Sequence, residues 1–151
     1  MEAATILSLA SKRTVSAYCF KLSAYSLKYQ GFFAILKEML ISVLKSKIHM
    51  ATVTDTHPYY EGSIAIDKKL IKAAGLVPGE KVHVLNFDNS HRFETYVIEG
   101  RPGEISLRGP AAKLGHKGEK VVIIAYALAT LKEAKALKAK IVKVNGRNEV
   151  K

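Results

Sequence analysis

The sequence predicts a small, mainly β domain with one or two short helices. From Leu40 onward, short runs of β-branched and aromatic residues recur at a spacing typical of β-barrels and β-sandwiches. Turn-forming residues separate these runs, and Asp88, Asn89 and Ser90 predict a hairpin turn between two of them. The 151 residues are 48% hydrophobic and 25% charged, which is an ordinary globular composition. Collagen-like, low-complexity and wholly disordered chains are therefore excluded.

Seven strands are predicted, each as a short apolar or β-branched run bounded by turn residues. They cover residues 40–43, 51–54, 63–67, 81–87, 92–99, 104–108 and 120–128. A helix is predicted at residues 68–74, because Gly75 stands where a helix commonly ends and Pro78 follows it. A second helix, rich in Lys and Ala, is predicted at residues 131–140. The sequence shows no internal repeat, so residues 39–151 are expected to form one domain.

The first 38 residues differ in composition from the rest of the chain. They hold three of the seven Tyr, three of the five Phe, the only Cys and just two acidic residues. Their apolar stretch, residues 5–10, precedes Lys12 and Arg13, which reverses the order of a secretory signal. Being Ser-rich and poor in acids, the segment has some features of an organelle transit peptide. We favour an extension outside the fold, such as one encoded by a start codon upstream of the true one.

The chain is basic, with 24 Lys plus Arg against 13 Asp plus Glu and a formal net charge of +11. A basic β-barrel that binds nucleic acid is therefore the alternative function. Such a module needs aromatic residues interleaved with Lys and Arg on one sheet face. Aromatic residues are few after Met39, and the basic residues are scattered. We expect a solvated basic surface and no nucleic-acid partner.

Other partner classes and locations also follow from composition. The longest strongly apolar run, residues 121–129, is far shorter than the roughly 20 residues of a membrane-spanning helix, so no membrane partner is expected. Cys19 is the only cysteine, which rules out an intramolecular disulfide and fits a reducing, cytoplasmic location. The five His residues are spread along the chain, and no metal site is predicted.

Three separated segments carry the strongest functional signal. They are Lys45-Ser46-Lys47-Ile48-His49, Tyr59-Tyr60-Glu61-Gly62-Ser63-Ile64-Ala65-Ile66-Asp67 and Arg92-Phe93-Glu94-Thr95-Tyr96. In their order and spacing they resemble the aspartate 1-decarboxylase family, self-processing pyruvoyl enzymes that make β-alanine for pantothenate. The resemblance extends from Met39 to about Val150. It implies a double-psi β-barrel, a homotetramer with active sites between neighbouring subunits, and decarboxylation of L-aspartate to β-alanine and carbon dioxide.

The resemblance also implies that the chain cuts itself between Gly62 and Ser63. In such proenzymes the serine hydroxyl attacks the carbonyl of the preceding glycine, and elimination and hydrolysis then leave a pyruvoyl group at the serine. Glycine suits the position before the cut, because it does not block the attack and tolerates unusual φ and ψ values. The pyruvoyl group formed from Ser63 is the implied cofactor and electron sink. Their local sequence alone favours a turn glycine followed by the first residue of a strand, and only the flanking segments favour the cleavage site.

The remaining site residues are assigned by the same resemblance. Tyr96 is the implied proton donor, a role open to a tyrosine because its hydroxyl is protonated at neutral pH. The planar guanidinium of Arg92 suits a carboxylate. Thr95 is also implied in processing. The implied substrate-binding residues are Lys47, Arg92, Thr95, Gly109, Pro110 and Ala111, and the residues implied to line the cleft are His49 and Tyr60.

Two features of the implied site residues are not explained by the sequence alone. Strand periodicity puts Arg92 and Tyr96 on one face and Thr95 on the other, which indicates a bend, a strand end or a site shared between subunits. The family commonly has Asn-Gly-Ala-Ala where this chain has Arg108-Gly109-Pro110-Ala111. Pro110 removes one N–H, and Arg108 replaces an amide by a charge, so substrate contacts or the processing rate are expected to differ. A hydrolase that uses Ser63 is a third alternative, but the sequence offers it no convincing base.

Overall fold

The computed structural model describes residues 39–151, and the first 38 residues lie outside the described part. The described residues form eight strands, two short α-helices and one 3-10 helix. The mainly β class with one or two short helices is therefore confirmed. In chain order the elements are β1 (Leu40–Thr52), β2 (Asp55–His57), β3 (Ser63–Asp67), α1 (Lys68–Ala74), β4 (Lys81–Asn86), β5 (Arg92–Gly100), β6 (Ile105–Arg108), the 3-10 helix (Gly109–Leu114), β7 (Lys120–Thr130), α2 (Leu131–Ala136) and β8 (Lys140–Lys143).

The eight strands form one mixed sheet in the order β2-β6-β3-β5-β4-β7-β1-β8. The pairs β1–β8, β2–β6 and β3–β5 are parallel, and the other pairs are antiparallel. After β1 the chain crosses to the far end of this order, where the Thr54 N–H donates to the Ile105 carbonyl at 2.7 Å and β2 pairs with β6. This connection closes the sheet into a small barrel.

The barrel interior is filled by aliphatic side chains from most of its strands. Ile48, Ile64, Val84, Val97 and Leu107 are each 0% exposed. Full burial of such a side chain contributes about 1.5–3 kcal/mol relative to leaving it in water. Every residue of β3 is buried, so this strand is the most enclosed of the barrel.

Helix α1 confirms the bounds that the sequence predicts. The Asp67 carboxylate accepts a hydrogen bond from the Lys69 N–H at 2.7 Å, which caps the start of the helix. Gly75 ends it with φ 64°, a conformation that glycine adopts without a steric cost. The Asp67 carboxylate also accepts from the Gly103 N–H at 2.7 Å. These bonds fix the end of β3 that lies away from Ser63.

The prediction of two separate strands at residues 40–43 and 51–54 is wrong. Strand β1 runs without a break from Leu40 to Thr52, and its register with β7 shifts between Leu44 and Ser46 and again between Ile48 and Ala51. Met50 has φ 61°, which fits an irregularity of this kind. The polar residues between the two apolar runs interrupt the hydrophobic pattern from which strands are predicted. The backbone pairing of β1 with β7 nevertheless continues on both sides of them.

The predicted second helix is too long. Helix α2 ends at Ala136, and Lys140 already belongs to β8, a strand that the sequence does not predict. Strand β8 pairs in parallel with residues 46–49 of β1. Pairing with a long neighbouring strand therefore outweighs the helix propensity of this Lys- and Ala-rich stretch. Among residues 39–151, no helix is long and apolar enough to cross a membrane.

We predict that a chain beginning at Met39 folds as well as the full chain, because the barrel and its core are built from residues after that point. Its thermal unfolding midpoint should match that of the full-length protein, measured by circular dichroism at equal concentration. An aggregated product, or a clearly lower midpoint, would show that residues 1–38 contribute to stability.

Candidate active site

Ser63 is the first residue of β3 and is flanked by two other strands. It pairs with Arg108 of β6. On the other side, Ile64 pairs with Val97 of β5 in parallel register, so Ser63 lies next to Tyr96. The start of β3 therefore brings Ser63 close to two residues that are distant in sequence.

The backbone and side chain of Ser63 are both unusual. Its φ is 152°, a positive value that residues with a side chain rarely adopt. Its side chain is buried, and the hydroxyl has no hydrogen-bond partner among the described residues. A strained backbone conformation costs about 1–3 kcal/mol, and an unpaired buried hydroxyl costs a similar amount. Strain of this kind is concentrated at functional positions.

The 3-10 helix packs its first residue directly on the chain before Ser63. Gly109 has φ 60°, and a Cβ added to it would lie 2.6 Å from the Cα of Gly62 and 2.8 Å from the Tyr60 carbonyl oxygen. Only glycine allows this approach. A Cβ on Gly62 would in turn meet the Cδ of Pro110 at 3.5 Å, an ordinary contact. The backbone around Gly62 is thus held against the start of the 3-10 helix.

A cavity of about 280 Å³ opens beside Ser63. Its volume suits a ligand the size of an amino acid better than a larger molecule. It brings together six of the residues that the sequence nominates. They are Gly62, Ser63, Thr95, Tyr96, Pro110 and Ala111.

Thr95 and Tyr96 both line this cavity although they point to opposite sides of β5. Thr95 is half-buried and Tyr96 is 44% exposed, so the strand alternates as expected. Strand β3 pairs with β5 only from Val97 to Gly100, which leaves the edge of β5 before Val97 open toward the cavity. Both residues lie in the middle of β5, so it is the start of the neighbouring strand β3, and not an end of β5, that lets them reach one cavity.

Lys47 and Arg92 do not line the cavity within a single chain. Arg92 lies at the exposed start of β5, on the same outer face as Glu94 and Tyr96. Lys47 lies on β1, and both β7 and β4 separate β1 from β5. At about 4.8 Å per strand, this puts the two backbones roughly 14 Å apart. In a single chain the two cations therefore lie on strands that are not neighbours, and neither of them lines the cavity.

His49 is half-buried on β1, and its Nδ1 has no hydrogen-bond partner among the described residues. Burial lowers the pKa of its imidazole, and the positive charges of Lys47 and Lys143 lower this pKa further. The folded protein therefore favours neutral His49. This contribution to stability is present above the pKa of an unfolded histidine, about 6.5, and is lost as the pH falls below that value.

Tyr60 lies outside the cavity, with its ring facing the guanidinium of Arg108. Arg108 itself lines the cavity, together with Phe93, Glu94 and Leu114, which the sequence did not nominate. The period-two pattern of β5 could have identified Phe93, because it shares a side of the strand with Thr95. Leu114 carried no signal, since the sequence predicts neither a helix nor a strand between residues 108 and 120.

Comparison with known proteins identifies the family. The family model described as aspartate decarboxylase matches residues 39–151. The chain belongs to the aspartate decarboxylase family. It is 53% identical over 114 residues to the aspartate 1-decarboxylase of Caldicellulosiruptor saccharolyticus, which covers 74% of this chain and 89% of the relative. It is 50% identical over 111 residues to the enzyme of the same name from Campylobacter hominis, covering 74% of this chain and 97% of that relative.

The family resemblance read from the three sequence segments is thereby confirmed. Membership in the aspartate decarboxylase family implies a pyruvoyl group. The chemistry of such a group requires a serine hydroxyl next to a reachable carbonyl. Ser63 fits this requirement, because its unpaired hydroxyl is buried beside the Gly62 backbone.

We predict that Gly109→Ala blocks or strongly slows chain cleavage between Gly62 and Ser63. The new Cβ would displace Gly62, and a displacement of about 1 Å can cost a factor of 100 in rate. Intact-mass spectrometry of the denatured protein measures the fraction cleaved.

Gly118→Ala is the matched control for this substitution. Gly118 also has a positive φ, 95°, but nothing lies within 4 Å of an added Cβ. It should lower the free energy of unfolding by about 1 kcal/mol and leave cleavage unchanged. Normal cleavage in Gly109→Ala would contradict the importance of this contact.

Proposed function

We propose that this chain is a pyruvoyl-dependent aspartate 1-decarboxylase, which converts L-aspartate to β-alanine and carbon dioxide for pantothenate synthesis after cutting itself between Gly62 and Ser63. One observation carries the proposal. In a member of the aspartate decarboxylase family, Ser63 combines a strained backbone with a buried, unpaired hydroxyl at the expected cleavage point. Ser106 also has a buried, unpaired hydroxyl, so the strained backbone is what distinguishes Ser63 from a serine with only a structural role.

The self-cleavage chemistry uses atoms of Gly62 and Ser63 and one water molecule. The Ser63 Oγ attacks the Gly62 carbonyl carbon, the C–N bond breaks, and the amide becomes an ester with a free amine on residue 63. Loss of the Cα proton then expels the Gly62 carboxylate and leaves a dehydroalanine. Water replaces its nitrogen, which departs as ammonia and leaves the pyruvoyl group. The cut therefore consumes one water and releases one ammonia.

The neighbours of Ser63 support this chemistry. Gly109 holds the Gly62 backbone, β6 pairs with Ser63 itself, and β5 pairs with β3 from the next residue, Ile64, onward. Thr95 lines the same cavity and offers a hydroxyl at the open edge of β5. We assign it a role in processing.

After processing, the pyruvoyl group supplies a carbonyl that accepts the electron pair released as carbon dioxide leaves. We assign Tyr96 to deliver the proton that replaces the lost carboxylate, because it lies next to residue 63 and its side chain reaches the cavity. Ala111 can donate its N–H to the substrate, whereas Pro110 has none. The Lys47 and Arg92 side chains are proposed to bind the substrate carboxylates.

We also propose that the protein is a homotetramer in which neighbouring chains share each site. The outer face of the sheet exposes large apolar side chains, including Tyr126 at 44% and Leu128 at 72%. Lys47 shares this face, because it pairs with Ile124, two residues from Tyr126 on β7. Covering the face with another chain would bury these side chains and bring a second set of cations to the cavity. Light scattering measures the number of chains.

We predict that Ser63→Ala remains a single chain and makes no β-alanine from L-aspartate. The wild-type protein should separate into a fragment ending at Gly62 and a second fragment that is lighter, by the mass of one ammonia, than a serine-started peptide. Intact-mass spectrometry under denaturing conditions measures both masses.

Ser106→Ala is the matched control, because Ser106 is also buried with an unpaired hydroxyl and lies on the neighbouring strand β6. It should be cleaved and active. Cleavage that persists in Ser63→Ala would remove Ser63 from the mechanism, and an uncleaved wild-type chain would refute the proposed function.

We predict that Tyr96→Phe is cleaved normally but releases β-alanine about 100-fold more slowly. The substitution removes only the hydroxyl, which donates a proton during decarboxylation and not during the ester rearrangement. Fragment masses and β-alanine release are measured on one preparation. Tyr126→Phe is the control, since Tyr126 has the same exposure and lies on the same outer face. Full activity in Tyr96→Phe would assign the proton to another group.

A further inference from the structure

The five residues between β2 and β3, residues 58–62, lead into the proposed cleavage point. Tyr59 is fully exposed, Tyr60 is 54% exposed, and Glu61 is also exposed, so little packing holds the segment. Two kinds of contact connect it to the barrel. One is the approach of Gly109 to the Tyr60 carbonyl and the Gly62 backbone. The other is made by the ring of Tyr60, which faces Arg108 and whose centroid also lies 6.5 Å from that of the His57 ring of β2.

The second contact is a cation–π interaction with Arg108. The centre of the Arg108 guanidinium lies 4.6 Å from the centroid of the Tyr60 ring, well within the range of this interaction. Arg108 belongs to β6 and pairs with Ser63 through the backbone. The same residue therefore contacts the chain on both sides of the Gly62–Ser63 bond, by its side chain before the bond and by its backbone after it.

Glu104 fixes the Arg108 side chain in this position. The Arg108 Nη2 donates to the Glu104 carboxylate at 3.0 Å, and the side chains are only 17% and 15% exposed. The other carboxylate oxygen of Glu104 accepts from the Arg101 N–H at 2.7 Å. The Glu104 carbonyl accepts from the Asp67 N–H at 2.8 Å. Because Glu104 is bonded at three points, Arg108 is held by a rigid support.

We propose that Arg108 is a positioning residue for self-cleavage, which holds Tyr60 and thereby keeps the Gly62 carbonyl in reach of the Ser63 hydroxyl. The inference rests on the proposed function, since it concerns the same cut. Attack on a carbonyl requires the reacting atoms in near-contact geometry. If residues 58–62 were free on one side, the strained φ of Ser63 could relax and the carbonyl could turn away.

The test measures the cleavage rate of the full-length chain. Wild type and variants are made in one cell extract with a short pulse of labelled methionine, and the cleaved fraction is followed over time. Arg108→Gln and Tyr60→Leu should each slow cleavage about tenfold, a change typical of losing one well-placed contact. The double variant should be no slower than either single variant, because both remove the same interaction.

Three controls separate positioning from general destabilisation. Tyr60→Phe keeps the ring and should cleave at the wild-type rate. Arg147→Gln removes an exposed arginine whose ion pair with Glu149 lies on the C-terminal hairpin, and it should also leave the rate unchanged. In a Ser63→Ala background, which cannot cleave, the unfolding midpoint of Tyr60→Leu should lie below that of Tyr60→Phe by no more than the few degrees that the loss of one cation–π contact causes.

The outcomes distinguish this inference from the proposed function. If the wild-type chain is cleaved, and Arg108→Gln or Tyr60→Leu is cleaved at the same rate, the positioning role is overturned but the proposed function is not. Effects that multiply in the double variant also overturn it, because they would show that the two side chains act separately. An uncleaved wild-type chain overturns the proposed function, and the positioning role with it.

Discussion

The close approach of Gly109 to Gly62 is the constraint on which the candidate site depends. It requires glycine at residue 109 with a positive φ, and it directs the following 3-10 helix so that Pro110 and Ala111 line the cavity. It also fixes the chain just before Ser63, whose own backbone is strained. The complete burial of β3 offsets the cost of this strain, because the apolar residues that follow Ser63 cannot shift without leaving the core.

The sequence predicts an element well when the interactions that form it involve residues only a few positions away. The bounds of α1 are predictable because an Asp cap and a C-terminal Gly act within a few residues. Strand β8 is not, because it forms by pairing with β1, nearly a hundred residues earlier. The sequence could not predict either that Thr95 and Tyr96, neighbours on β5, both line the cavity. This depends on where β3 begins to pair, which no local pattern in β5 records.

The nominated site residues fall into two groups, those that the fold brings together and those that it leaves apart. Similarity to a family nominated Ser63, Thr95 and Tyr96, and the fold brings them together around one cavity. Lys47 and Arg92 remain on the outer face of the sheet. That face also carries Tyr96, which strand periodicity predicts beside Arg92, and Tyr126, which the sequence did not lead us to expect there. A nucleic-acid-binding barrel would use such aromatic residues near cations. Family membership and the chemistry of Ser63 favour the enzyme.

The closure of the barrel through β1 and β2 has a consequence for the cut protein. Both strands precede residue 62, whereas their partners β6, β7 and β8 follow it. Cleavage would therefore turn one folded chain into two interleaved peptides, and complete unfolding would become a dissociation. The stability of the mature barrel would then depend on protein concentration by mass action, whereas that of the uncut chain would not. Refolding after denaturation would require an encounter between two molecules, so the proenzyme is the form in which this barrel is best able to assemble.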